Sequence, residues 1–201
     1  MAIATEQRSP YHVSRAAILR AVNVVDSGRP EEGIPLMEDA LAAHRATGAD
    51  FQSAYNLSRL AEAHVRAGHI ARANDLAVQA VAEVERTGER WWEAEAQRIR
   101  GEILLRSNRA KRREAEACFS RALECAQRQR ARLWELQAAL SLARLWQSEG
   151  EDRKAKALLR PVCRAFDDGY GIEALDLARD LVERARPGTV GRSAGYRRSR
   201  I

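Results

Sequence analysis

The sequence repeats itself every 40 to 42 residues, which limits the chain to architectures that stack one structural unit several times. In four segments a small residue is followed four positions later by an apolar one, and three positions after that by a small or apolar one. Spacings of four and three place all three residues on one helix face. The segments are 27–44, 67–84, 109–126 and 148–165. The triplets are Gly33/Met37/Ala40, Ala73/Ala77/Ala80, Ala115/Phe119/Ala122 and Ala155/Leu159/Val162.

A second amphipathic run precedes each segment, and a turn signal separates the two runs, as at Gly28–Pro30, Gly68, Ser107–Asn108 and Gly150. Each unit is therefore predicted to be helix A, turn, helix B, and the final run, 171–185, to be a capping helix. A composition rich in Ala, Leu, Arg and Glu favours helix throughout. The predicted helices are 11–27, 31–47, 50–67, 70–87, 89–106, 111–129, 132–148, 151–167 and 171–185.

Small residues also recur in the A helices. Ala21, Ala61, Gly101 and Ala143 share one position, and a bulkier residue follows each three residues later. A row of Ala and Gly allows two helix backbones to approach closely, while the bulky row fills the space between units. The bulky residues are Val24, His64, Leu104 and Trp146.

The order small, bulky, small, bulky, small at Gly101, Leu104, Ala115, Phe119 and Ala122 resembles the tetratricopeptide (TPR) repeat. The units are longer than the usual length of about 34 residues, and a period of about 40–47 also occurs in HEAT and armadillo repeats. We favour the TPR interpretation because the small-residue rows lie where that family needs them. The resemblance implies an all-α, right-handed α-solenoid of about four helix-turn-helix repeats with a capping helix.

Three stretches, 85–105, 114–129 and 135–159, are similar to the C-terminal repeat region of bacterial signalling ATPases. In that family a nucleotide cyclase or DNA-binding output domain and a phosphate-loop ATPase precede a long TPR tail. The most specific piece is GERWWEAE, residues 88–95. The resemblance implies a sensing or docking arm with an upstream ATPase or cyclase domain as its partner. Residues 1–10 read as the remnant of a preceding helix and turn, so we expect either a fragment of a larger signalling ATPase or a standalone remnant.

No catalytic motif is found, and the sequence predicts neither an enzyme nor a cofactor or metal site. GTVGRS at 188–193 lacks the lysine and the spacing of a phosphate loop. His64 and His69 are five residues apart, about 140° around a helix, so we do not expect them to share a face. Cys118, Cys125 and Cys163 lack C-x-x-C spacing and are expected to be small buried hydrophobes. The four Trp residues are expected to be packing anchors.

The TPR resemblance implies a partner-binding groove along the inner face of the A helices. Four arginines would make this groove net positive, which suits an acidic peptide. Glu62 and Glu102 replace two residues of the carboxylate clamp that some family members use, so a chaperone tail is not the expected ligand. The groove positions are Tyr55, Ser58, Glu62, Arg66, Glu95, Arg98, Glu102, Arg106, Gln137, Arg144 and Gln147.

Positive charge is concentrated in residues 97–132, where eleven Lys/Arg face four Asp/Glu, and in the tail 186–201, where five Arg face none. Within the first stretch, four cations surround one turn and form a candidate anionic docking patch. The alternative is a solvated loop that pairs partly with Glu114 and Glu116. A nucleic-acid-binding repeat that uses this stretch and a disordered basic tail is the alternative function, although no base-reading element accompanies it. The patch is Arg109, Lys111, Arg112 and Arg113.

The repeat domain is expected to span 11–185, and its first helix carries four aliphatic residues with no complete unit before it. Such an uncovered end predicts a homodimer, or docking on a separate upstream protein, through the N-terminal repeat. The sequence contains neither a signal peptide nor an apolar run of about 18 residues, so we expect a cytoplasmic location without membrane contact. The aliphatic residues are Ile18, Leu19, Val22 and Val25.

Overall fold

The computed structural model describes residues 9–166 and 172–183, which form nine α-helices and contain no β-strand. Short 3-10 turns, Arg90–Trp92 and Arg109–Lys111, lead into two of the helices. The helices are α1 Pro10–Asp26, α2 Pro30–Ala46, α3 Ser53–Arg66, α4 Ile70–Thr87, α5 Glu93–Ser107, α6 Arg112–Gln129, α7 Arg132–Ser148, α8 Asp152–Arg164 and α9 Glu173–Glu183.

All nine predicted helices are present, and most of their ends lie within two residues of the predicted positions. The largest differences at the N-terminal ends are those of α3 and α5, which begin at Ser53 and Glu93. Before α3, the backbone N–H of Gln52 donates to Glu89 Oε2 of the next unit at 2.9 Å. Gln52 has a left-handed φ of 64°, which starts the helix later than its amphipathic pattern suggests.

The turns between helices follow the predicted glycines. Within units, Gly28, Gly68 and Gly150 adopt positive φ angles, and between units Gly48 and Gly88 do the same. These turns fold each helix back along its predecessor, and consecutive helices pack on one another throughout the described ranges. The A helices α3, α5, α7 and α9 also contact one another in succession, so they form one continuous surface.

The repeat triplets form the core, as the periodicity predicts. Every triplet residue is buried, and Phe119, Met37 and Leu159 have no exposed surface. The small row of the A helices is buried as well. The bulky row is less uniform, because His64 and Leu104 are buried whereas Val24 and Trp146 are half-buried.

The two ends of the array differ. At the C-terminal end, α9 packs Leu175, Ala178 and Leu181 into the core cluster of the fourth unit, as expected for a capping helix. At the N-terminal end, the prediction of four uncovered aliphatic residues is wrong for three of them. Ile18, Val22 and Val25 are at most 8% exposed because they pack into the core shared with α2 and α3, and Leu19 alone of the four is exposed.

Several predictions lie outside the described residues. These are residues 1–8 of the predicted remnant of a preceding helix, whose last residues Ser9 and Pro10 lie at the start of α1, and the basic tail 186–201. Within the described ranges, no helix is long and apolar enough to cross a membrane.

Candidate partner-binding groove

A groove of about 330 Å³ opens between the C-terminal halves of three A helices, α3, α5 and α7. Its floor is apolar, formed by Val65, Ile99 and Ile103. Six of the eleven predicted groove residues line it, which brings together side chains from three units. They are Glu62, Arg66, Arg98, Glu102, Arg106 and Arg144.

One end of the groove is closed by a charge network that links the first two units. Asp26, at the end of α1, accepts hydrogen bonds from Arg59 at 2.9 Å and from Arg66 at 2.8 Å. Arg59 also donates to Glu62 at 2.8 Å. Burial acts to raise the pKa of Asp26, but the two arginines outweigh it and lower that pKa overall. The sequence analysis missed Asp26 because it is a helix-end residue outside the repeat pattern.

A second network of charged and polar side chains connects α5 to α7 beside the groove. Arg98 Nε donates to Glu95 at 2.8 Å, and its guanidinium lies 3.7 Å from Glu102. Glu102 in turn accepts a hydrogen bond from Ser141 of α7 at 2.7 Å. Burial acts to lower the pKa of Arg98, but its carboxylate partners raise it overall, so this cation remains charged. Burial also raises the pKa of Glu62, which Arg59 only partly opposes.

Two of the groove cations remain uncompensated. Arg106 and Arg144 are exposed, and neither has an ion-pair partner among the described residues. Arg66, in contrast, is neutralised by Asp26, and Arg98 by Glu95 and Glu102. The excess positive charge of the groove therefore resides at Arg106 and Arg144, on neighbouring A helices.

The other five predicted groove residues do not line this groove. Ser58 is fully buried and donates to the Ala54 carbonyl, so it is a core residue. Tyr55 packs against Trp92 with ring centroids 4.9 Å apart, at the opposite end of α3. Glu95 is 6% exposed and does not line the groove itself, but it accepts a hydrogen bond from Arg98, which does. Gln137 and Gln147 are half-buried on α7, outside the lining residues.

The candidate anionic docking patch lies around the 3-10 turn before α6. Arg109 and Arg113 are exposed, while Lys111 and Arg112 are half-buried. Arg112 lies 3.7 Å from Glu149, and Glu116 accepts from Trp146 and Lys154 instead of from this turn. The alternative interpretation, in which the patch pairs with Glu114 and Glu116, is therefore wrong about the partners. One patch cation, Arg112, is nevertheless ion-paired, with Glu149.

The prediction about the two central histidines is also wrong. The turn at Gly68 folds the chain back, so the Nδ1 atoms of His64 and His69 lie 3.3 Å apart. Burial lowers the pKa of His64. No group of three or more metal-ligating side chains occurs in the described part of the chain.

The three cysteines form no disulfide; Cys118 and Cys125 are buried, as expected, whereas Cys163 is only half-buried. Burial raises the pKa of Cys125 to about 11 and also raises that of Cys118 and Cys163. At neutral pH these thiols are protonated, which makes them poor nucleophiles.

Among solved structures, the fold is similar to two crystal structures of the nearly identical TPR-like repeats of a kinesin light chain-like protein from Podosopora anserina, one of them a variant. The TM-scores are 0.69 and 0.67, at 17% identity over 86% of this chain and 84% of that chain. The chain is an all-α solenoid of TPR-like helical repeats. No family model matches the sequence, and no curated protein matches it.

The likeness at 17% identity shows the fold alone.

Proposed function

We propose that this TPR-like chain is a non-catalytic interaction module that binds an extended acidic segment of a protein partner in the groove between α3, α5 and α7. The observation that carries the proposal is the pair Arg106 and Arg144. Both are exposed beside apolar lining residues and have no carboxylate partner among the residues that the structure describes, while the other groove cations are ion-paired within the chain. Charge-assisted hydrogen bonds to such cations favour carboxylate side chains.

The test is fluorescence anisotropy with a labelled peptide of alternating Asp, Glu and Ser. Reversing both charges, Arg106→Glu with Arg144→Glu, should weaken binding at least about tenfold. The matched control is Arg153→Glu with Arg160→Glu, which reverses two exposed arginines of α8 outside the groove. Equal losses of affinity in both variants would show that binding depends only on the net charge of +6, and would contradict a binding site in the groove.

The finer proposal concerns the partner. The resemblance of 85–105, 114–129 and 135–159 to the repeat region of signalling ATPases supports an upstream ATPase or cyclase domain as the bound protein. A gene for such a protein beside this one, and its co-purification with the wild-type chain but not with the double charge reversal, are the expected results. A purified chain that hydrolyses nucleotide would contradict the non-catalytic assignment.

Homodimerisation through the first unit rests on Leu19, which is 55% exposed. Light scattering of the wild-type chain and of Leu19→Glu, over a concentration series, tests it. A wild-type chain that stays monomeric at high micromolar concentration would rule the dimer out.

A further inference from the structure

A row of large apolar side chains runs along one edge of the solenoid, one from each of the four units. Phe51, Trp91 and Leu133 are 48%, 42% and 41% exposed, and Tyr11 is half-buried. Each lies ten residues before the small residue of its A helix at position 21, 61, 101 or 143, so the four are equivalent in the repeat. We call Tyr11, Phe51, Trp91 and Leu133 the edge row.

The edge row is held in place by its neighbours. Trp91 packs against Trp92 and Tyr55, with ring centroids 5.2 and 6.0 Å apart. The Arg15 guanidinium lies 5.3 Å from the centre of the Phe51 ring and 5.8 Å from that of Tyr11. Side chains that are already fixed lose little entropy when a ligand covers them, so Tyr11, Phe51 and Trp91 are preorganised for binding.

The carboxylates along this edge are already engaged in ion pairs or hydrogen bonds within the chain. Asp50 pairs with Arg86 at 2.8 Å, Glu89 accepts the Gln52 N–H, Glu93 lies 3.4 Å from Arg90, and Glu135 accepts from Gln127. Three arginines flank the row and have no carboxylate partner among the residues that the structure describes. They are Arg15, Arg130 and Arg132.

We propose that the edge row is a second docking surface, for an extended acidic peptide with a large apolar residue at every third position. The A helices α3, α5 and α7 contact one another in succession, and helices in contact lie about 8–10 Å apart, so Phe51, Trp91 and Leu133 are separated by roughly that distance. A polyproline II chain has three residues per turn and rises about 3.1 Å per residue, so every third side chain lies on the same face and three residues match one unit of the solenoid. A second copy of this chain is a poorer occupant, because two copies of this edge would bring their unpaired arginines Arg15, Arg130 and Arg132 together.

This surface differs from the groove of the proposed function. Phe51 precedes α3 and Arg66 ends it, so these two residues are about 20 Å apart along the helix. Their ligands also differ, since the groove selects charge and the edge row selects the spacing of apolar residues.

The experiment is anisotropy with a labelled peptide of three repeats of Leu-Asp-Glu, and with a peptide of the same composition whose leucines are adjacent. The wild-type chain should bind the spaced peptide at least tenfold more tightly than the clustered one. Phe51→Ser with Leu133→Ser should weaken binding of the spaced peptide at least tenfold, because two exposed anchors are lost. Circular dichroism should show unchanged helix content in this variant, since both side chains are exposed.

The matched control is Leu36→Ser with Val78→Ser, which removes two apolar side chains of similar exposure, 47% and 44%, from outside the row. It should change the affinity less than twofold. Equal losses in the row and control variants, or equal affinity for both peptides, would overturn the proposal. A wild-type dimer that the row variant converts to a monomer would assign the surface to self-association and also overturn it.

Discussion

Gly101 of α5 and Phe119 of α6 are matched in size across the contact between the two helices of the third unit. A Cβ atom added at Gly101 would lie 2.5 Å from Phe119 Cε1 and 2.8 Å from Cδ1. Phe119 has no exposed surface, so its ring has no free space to enter. The absent side chain of Gly101 therefore provides the space for the largest fully buried side chain of the core.

Gly101→Ala should destabilise the chain although alanine is the better helix former. The overlap with Phe119 costs about 1–3 kcal/mol, and the gain in helix propensity of about 1 kcal/mol offsets only part of it. Urea denaturation measures the change. Phe119→Leu, combined with Gly101→Ala, should destabilise less than the sum of the two single changes, because the smaller side chain makes room for the new methyl. Additive effects would contradict the contact.

This pair also shows why the fold could be predicted. Small and bulky residues recur at the period of 40–42, and close packing between two helices requires that complementarity at every unit. The first residues of the helices were harder to predict from the sequence, because the start of α3 depends on the Gln52–Glu89 hydrogen bond between units. A bond across 37 residues leaves no signal in the local periodicity.

Arg130→Gly should stabilise the chain by about 0.5–1 kcal/mol. Arg130 has a φ of 53° in the turn between units three and four, where the equivalent turns contain Gly48 and Gly88. A left-handed conformation costs a non-glycine residue about 1–2 kcal/mol, which exceeds the entropy that glycine adds to the unfolded chain. Thermal or chemical denaturation is the measurement.

The converse change, Gly88→Ala, should be destabilising, because it places a Cβ in the same conformation at a φ of 72°. Its added methyl meets no atom within 4 Å, so any loss of stability is due to the backbone and not to crowding. If both substitutions leave stability unchanged, the left-handed turns are not strained.

The candidate groove was only partly accessible from the sequence. The TPR resemblance placed Glu62, Arg98 and Arg106 on one inner face, and all three line the groove. The same resemblance placed Ser58 there, but its hydroxyl donates to the Ala54 carbonyl inside the core. Which arginines are neutralised depends on partners in other units, such as Asp26, and such pairs cannot be read from the spacing within one helix.

Glu62→Gln should keep or raise the stability of the chain at pH 7. Burial raises the pKa of Glu62 above its ordinary value of 4.5, so the folded state binds this proton more tightly than the unfolded state. The charged form therefore costs stability above that pKa, and the cost disappears as the pH falls through the folded and then the unfolded value. The difference between wild type and variant should shrink between pH 7 and pH 4 in urea denaturation. A variant that is less stable at pH 7 would show that the Arg59 ion pair outweighs the burial.

His64→Leu should remove part of the loss of stability that the chain undergoes in mild acid. His64 is 6% exposed, and its Nδ1 lies 3.3 Å from that of His69, with Arg72 also nearby. Burial lowers its pKa below 6.5, and the Glu38 carboxylate, 3.8 Å away, opposes this only in part. The folded state thus favours the neutral ring, and its contribution is fully present above pH 6.5. It is lost as the pH falls through the lower folded value, because the unfolded chain binds the proton first.

Leucine is the matched substitution because Leu104 occupies the equivalent position of the third unit and is buried there. Urea denaturation of both chains at pH 7.5 and pH 5 should show a smaller fall in the free energy of unfolding for His64→Leu. His69→Leu serves as the comparison, because His69 is about half exposed and should change the acid response less. The wild type and both variants contain the same carboxylates, so these groups contribute equally to the acid response of all three chains. Equal losses of the free energy of unfolding in the three would therefore mean that His64 is as easily protonated in the folded state as in the unfolded state.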